Sequence, residues 1–154
     1  MFDFFKTCEP LLVPLAALII TQFIKVLIDR AQGKKTSMNT YGGMPSSHSA
    51  LFISLVIIAW NHAGPASVAF AISVILYLTV VRDAVGIRQH LGSHGAMLKA
   101  MIEEHQKDHA HTIAHDKIVT RLGHTPLQAA MGTLCGIIIT LGLEQIYSIV
   151  YAVT

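Results

Sequence analysis

The stretch LLVPLAALIITQFIKVLI, Leu11 to Ile28, is apolar apart from Pro14, Thr21, Gln22 and Lys25, and it stops at the charged pair Asp29-Arg30. About 20 mostly apolar residues carry a helix across the hydrocarbon core of a bilayer, and an isolated proline or polar group is tolerated where neighbouring helices pack against it. The run therefore predicts a transmembrane helix over about 11–29. Similar blocks predict helices over about 46–62, 65–82 and 126–152, the second being the shortest. Gly64-Pro65 supplies a tight turn between the second and third, and Pro126 is a favoured first-turn residue for the last. The expectation is an all-α integral membrane bundle of about four transmembrane helices, a single membrane domain over 1–154 with a cytoplasmic polar loop over about 86–125.

Composition agrees with this. The chain is 53% apolar and 13% charged over 154 residues, far from the balance of a soluble domain. A net charge of +2 without basic residues interleaved with aromatics excludes a nucleic-acid partner. Cys8 and Cys135 lie in unlike settings, which points to neither a disulfide nor a metal knuckle. Lys6, flanked by Asp3 and Glu9 and followed by a long apolar run, does not make a cleavable signal.

Four spans put the segments 30–43 and 86–125 on one side of the membrane. These segments hold Arg30, Lys34, Lys35, Arg88, Lys99, Lys107, Lys117 and Arg121, against Lys6 on the other side. Positive-inside bias then places both in the cytoplasm, in the cell (inner) membrane, with Trp60, Tyr147 and Tyr151 near the outer interface. Glu144 falls near that outer interface too, where a charge needs no special role.

Three polar motifs gather on the cytoplasmic face. Gly43-Met44-Pro45-Ser46-Ser47-His48-Ser49 lies where a loop enters a helix, so free backbone N–H groups and the Ser46 and Ser47 hydroxyls can converge on an anion at the positive end of the helix dipole. The same residues also read as a plain helix cap with an interfacial histidine. Arg82, Asp83 and Arg88 end the third helix; Arg88 or Arg82 can grip phosphate through its planar donor fork while Asp83 holds that arginine or a histidine, or the group is a salt-bridged interfacial anchor. His124 opens the last helix on the same face as His48, and two imidazoles there suit a nucleophile and an acid for phosphoryl transfer. Lys25 can snorkel toward this face, and Asp29, four residues on, can neutralise it. His90/His94, His105/His109 and His111/His115 are i, i+4 pairs, but a histidine-rich loop generates such pairs readily, so no metal and no cofactor is expected. Ala96, Met97, Ala100 and Met101 form an interfacial stripe, and Gly132 and Gly136 have the small-xxx-small spacing of packing within a bundle.

The three motifs, in this order with apolar helices between them, resemble the divergent branch of the type 2 phosphatidic acid phosphatase family, which is related to acid phosphatases and vanadium-dependent haloperoxidases. The resemblance rests on Gly42-Gly43-Met44-Pro45-Ser46-Ser47-His48-Ser49-Ala50, Asp83-Ala84-Val85-Gly86-Ile87-Arg88 and Leu122-Gly123-His124-Thr125-Pro126. It implies that His48 is similar to the family's acid, His124 to its nucleophile and Lys25 to its phosphate-binding lysine. The chain departs from the wider pattern at four places: Ser47 stands for a glycine, Gln32 and Ile118 for arginines, and Gln128 for the aspartate that orients the nucleophile. Arg88 or Arg121 would supply the lost guanidinium. Gln128 can hold a tautomer but cannot stabilise an imidazolium as a carboxylate does, unless Asp83 compensates.

The function expected from this is a membrane phosphatase acting on a lipid phosphate or diphosphate through a phosphohistidine, with membrane lipid as its surroundings. A non-catalytic protein that binds a phosphorylated headgroup in a degenerate site is the alternative, and haloperoxidase activity the third reading.

Overall fold

The computed structural model describes residues 2–33, 43–108 and 123–153. They form five helices, α1 (Phe2–Ala31), α2 (Ser47–Ala63), α3 (Val68–Val85), α4 (Ile87–Asp108) and α5 (Pro126–Val153), and no strand is found among the described residues. Thr7–Ala31, Val68–His105 and Pro126–Val150 are long and apolar enough to cross a membrane. The chain is an all-α membrane bundle. At 17 residues, α2 spans about 26 Å, a little short of the hydrocarbon core. It is the central helix, packed against α1, α3 and α5.

Helix α1 explains why the bundle belongs in lipid. Val13, Ala17, Thr21, Lys25 and Asp29 recur every four residues and are all buried. Leu11, Leu15, Ile19, Phe23 and Leu27 recur at the same spacing and are all exposed. Rows at i±4 form the ridges by which helices pack. Here the small and polar row faces the protein and the large apolar row faces outward, the reverse of a water-soluble helix.

The other contacts follow the same rule. Helix α2 buries Ser47, Ser49, Ala50, Ser54, Ile58 and Ala59. Helix α5 approaches it through glycines: a β-carbon on Gly132 would lie 2.2 Å from the Ser46 carbonyl oxygen, and one on Gly136 would lie 2.7 Å from Ala50 Cα. The glycine spacing in the sequence is thus spent on packing within the bundle. The buried Thr140 and Ser73 hydroxyls bond back to their own helices, Thr140 Oγ1 to the Gly136 carbonyl at 2.7 Å and Ser73 Oγ to the Phe70 carbonyl at 2.8 Å. Tyr77 and Thr133 link α3 to α5 through their hydroxyls, 2.9 Å apart.

Two expectations change. Helix α1 begins at Phe2, well before the apolar run, and passes through Pro10 and Pro14; the limits of an apolar block mark the hydrocarbon, not the helix. The stretch expected to be a loop from about 86 opens instead with the 22-residue α4. Gly86 closes α3, with its N–H on the Arg82 carbonyl at 2.8 Å, and the helix resumes one residue later. Ile87, Leu91, Leu98 and Met101 recur on α4 at helical spacing and are exposed, and the helix packs only on α3 among the described elements. Polarity masked this helix, whose uncovered apolar flank suits a bilayer interface.

Candidate active site

Four segments meet at one end of the bundle: the last turns of α1, the Gly43–Ser49 entry to α2, the α3–α4 junction, and the Gly123–Gln128 entry to α5. Backbone hydrogen bonds tie them together. Ser46 N–H donates to the Gln128 carbonyl at 3.2 Å, and His124 N–H donates to the Ala84 carbonyl at 2.9 Å. Each motif of the sequence is therefore fastened to another by its main chain.

His124 makes a further bond through its ring, Nδ1 lying 3.0 Å from the Gly43 carbonyl oxygen. A carbonyl only accepts, so Nδ1 carries the proton, and in the neutral imidazole the lone pair is then on Nε2. Burial pushes the His124 pKa below the ordinary imidazole value, the charges of Lys25 and His48 act in the same direction, and the Gly43 carbonyl and Gln128 side chain oppose them. The ring is thus held neutral near pH 7 with one nitrogen free to act as a base or nucleophile.

Gly43 can accept this bond because of its backbone. Its φ of +94° is a left-handed conformation open to glycine, and a β-carbon there would sit 3.0 Å from Lys25 Cε and 3.5 Å from Asp29 Oδ2. The Met44–Pro45 peptide bond that follows is cis. Lys25 and Asp29 are only 3% and 6% exposed, so the ammonium expected to snorkel outward lies under the Gly43 turn.

His48 stands on the first turn of α2 and is exposed, and Arg88 and Lys25 both act on it electrostatically. Ser46 is fully buried and is the N-cap of α2: its Oγ accepts from Ser49 N–H at 3.3 Å and from the Ser49 hydroxyl at 3.1 Å. Ser47 is buried beside it. Arg88 pairs through Nε with Asp83, so among the described residues Asp83 holds the arginine and not a histidine. Arg121 lies outside the described residues, as do His109, His111 and His115.

Gln128 has a local role that the sequence displays but that is easily overlooked. Thr125 N–H donates to Gln128 Oε1 at 3.0 Å, and Gln128 N–H donates to Thr125 Oγ1 at 3.3 Å. This is a capping box, and Thr125-Pro126-Leu127-Gln128 is its signature, with proline at the first helical position. The residue standing for the expected aspartate thus closes the start of α5, while a backbone carbonyl eighty-one positions away holds His124. The signal for that carbonyl was the Gly42-Gly43 pair.

A family model described as "Divergent PAP2 family" matches residues 7–139, which take in all of these segments. The chain belongs to the divergent PAP2 family. Another protein similar to this chain is "Uncharacterized membrane protein YuiD" of Bacillus subtilis (strain 168), 34% identical over 151 residues that cover 90% of this chain and 95% of that protein. No solved structure matches. Within a divergent PAP2 protein the His48 and His124 segments are the elements whose convergence needs explaining, and the backbone bonds above explain it.

Proposed function

We propose that this divergent PAP2 protein is a phosphatase for a lipid phosphate or diphosphate, and the observation that carries the reading is the bond from His124 Nδ1 to the Gly43 carbonyl. It leaves Nε2 of a neutral ring as the nucleophile. In the first half-reaction Nε2 bonds to phosphorus, the bond from phosphorus to the leaving oxygen breaks, and protonated His48 gives that oxygen its proton. In the second, water attacks the phosphohistidine, His48 takes the water proton, and phosphate leaves with His124 again neutral. Lys25 and Arg88 supply the positive field for the phosphoryl oxygens, with the α2 N-terminus and the buried Ser47 beside them. Ser46 contributes chiefly as the cap that sets the helix start, and Arg121 remains a phosphate ligand by resemblance. Asp83 acts through Arg88, and Gln128 through the capping box and its effect on His124. A site at the end of membrane helices can receive a headgroup while the tail stays in lipid, and the loops on this face are assigned to the cytoplasm of the cell membrane.

The second reading, a degenerate site that binds a phosphorylated headgroup without hydrolysis, is favoured by one observation: among the described residues the Nδ1 partner of His124 is a carbonyl and not a carboxylate, and a carbonyl dipole stabilises an imidazolium less than a full charge does. Detergent-purified protein offered phosphatidate, phosphatidylglycerophosphate and polyprenyl diphosphates, with His48→Ala and His124→Ala alongside, separates the two. Phosphate release that both substitutions abolish supports the enzyme. Headgroup-dependent lipid binding without release supports the binding protein.

A further inference from the structure

At the end of the bundle away from His124, three helices bring metal-ligating side chains to one point. Glu9 comes from α1, His62 from the last turn of α2 and Glu144 from α5, and one ligand atom of each lies within 4.8 Å of the other two. The Glu9 side chain is 12% exposed and that of His62 40%, with His62 Nε2 3.9 Å from Glu9 Oε2. Asn61 grips the Glu144 carboxylate from the side, its Nδ2 donating to Oε1 at 2.8 Å and to Oε2 at 2.9 Å. An outer amide holding a carboxylate in this way fixes its orientation, as partners of metal ligands commonly do.

Two carboxylates brought this close repel each other unless positive charge lies between them. Among the described residues, the salt bridges place only His62 against either of them, and an imidazole offers at most one positive charge against two negative. A divalent cation balances the group. One imidazole nitrogen with two carboxylate oxygens suits Zn²⁺ and neighbouring first-row ions, whereas Ca²⁺ and Mg²⁺ favour all-oxygen shells. Tetrahedral bonds of about 2.1 Å to one ion put ligand atoms about 3.4 Å apart, so atoms within 4.8 Å of one another close on an ion when each shifts by less than about an ångström.

We propose that Glu9, His62 and Glu144 form a divalent-cation site of the Zn²⁺ class that clamps α1, α2 and α5 together at the end opposite the His124 site. The clamp sits where α1 needs it. Glu9 immediately precedes Pro10, and Pro10 and Pro14 each remove a backbone donor from the helix. A cross-link there ties the first turns of α1 to two helices that the broken ladder holds poorly. Water completes the coordination shell, and the site is independent of what the opposite end binds.

The test uses full-length protein without a polyhistidine tag, purified in detergent, stripped with chelator, loaded with Zn²⁺ and dialysed against metal-free buffer. Metal content by mass spectrometry is compared with Glu9→Gln, His62→Ala and Glu144→Gln; the two glutamines preserve size, and size-exclusion profiles identify folded protein. The wild type should retain one equivalent of Zn²⁺ more than each folded variant, and Zn²⁺ should raise its thermal midpoint but not theirs. Zn²⁺ held on the α4 histidines counts equally in all four proteins and cancels in the difference. Equal content and equal thermal response in wild type and variants would overturn the proposal.

Discussion

The imidazole of His124 donates through Nδ1 to the carbonyl oxygen of Gly43 at 3.0 Å, joining two motifs eighty-one positions apart. A glycine main chain thereby does what a side-chain carboxylate does elsewhere: it fixes one tautomer and aims the other nitrogen. It does so without a full negative charge, which leaves the ring less basic and its charged states less stabilised. The account rests on this bond, and its consequences can be measured.

Gly43→Ala should strike the bond directly. A β-carbon at φ +94° costs about 1–2 kcal/mol, while the contact with Lys25 Cε is with the end of a flexible side chain and yields more easily. The carbonyl turns away from His124 as the backbone relaxes. Phosphate release should fall by on the order of tenfold to a hundredfold with far-UV circular dichroism unchanged. A variant as active as wild type would free His124 from Gly43.

The pH profile reports the His124 ring. Burial favours the neutral form, so its pKa in the folded protein lies below the ordinary 6.5. The nucleophile is therefore available at pH 7, and kcat/KM should fall on the acid side only as pH drops through that lowered value. Stability follows the same sign: the contribution is complete above the unfolded imidazole pKa and is lost as pH falls through the folded one, because the unfolded chain then binds more protons. Gln128→Glu retains the capping box and adds a negative charge beside the ring, so the acid limb should move to higher pH.

Glycines on α5 give a matched pair. Gly132→Ala puts a carbon 2.2 Å from the Ser46 carbonyl, backbone that cannot step aside, and α5 must lift away from the cap of α2. Overpacking of this kind costs about 1–3 kcal/mol, and the Ser46–Gln128 bond goes with it. Gly142 has open space around it, so Gly142→Ala should be neutral or stabilising by up to about 1 kcal/mol. Thermal midpoints in detergent distinguish the two.

Topology has its own test. With Cys8 and Cys135 replaced by serine, a cysteine introduced as Lys34→Cys should resist a membrane-impermeant thiol reagent in intact cells and react after the membrane is opened. Labelling of intact cells would put the His124 face on the outside.

Much of the fold was legible because lipid imposes a simple rule. The row Leu11, Leu15, Ile19, Phe23, Leu27 and its small and polar counterpart Val13, Ala17, Thr21, Lys25, Asp29 both stand in the sequence at i, i+4. So do Gly132 and Gly136, whose role is set by how near Ser46 and Ala50 lie. Within α4 the sequence shows only the stripe at Ala96, Met97, Ala100 and Met101, because the charged and histidine-rich face of the helix hides the rest of its apolar flank at Ile87, Leu91 and Leu98. At the site, the meeting of His48 and His124 on one face followed from the count of helices. The bond that orients His124 did not: a main-chain carbonyl has no residue type to read, and only the paired glycines mark it. Gln128 was read for the carboxylate it lacks, although Thr125 three residues earlier already declared a cap.

The most direct measurement is a rapid acid-free quench of purified protein turning over ³²P-labelled lipid phosphate, with wild type and His124→Ala compared for protein-bound, acid-labile phosphate and for phosphate released. The account predicts label on the wild type that is absent from His124→Ala, together with a fall in release of on the order of a thousandfold or more. Release by His124→Ala at the wild-type rate would contradict it.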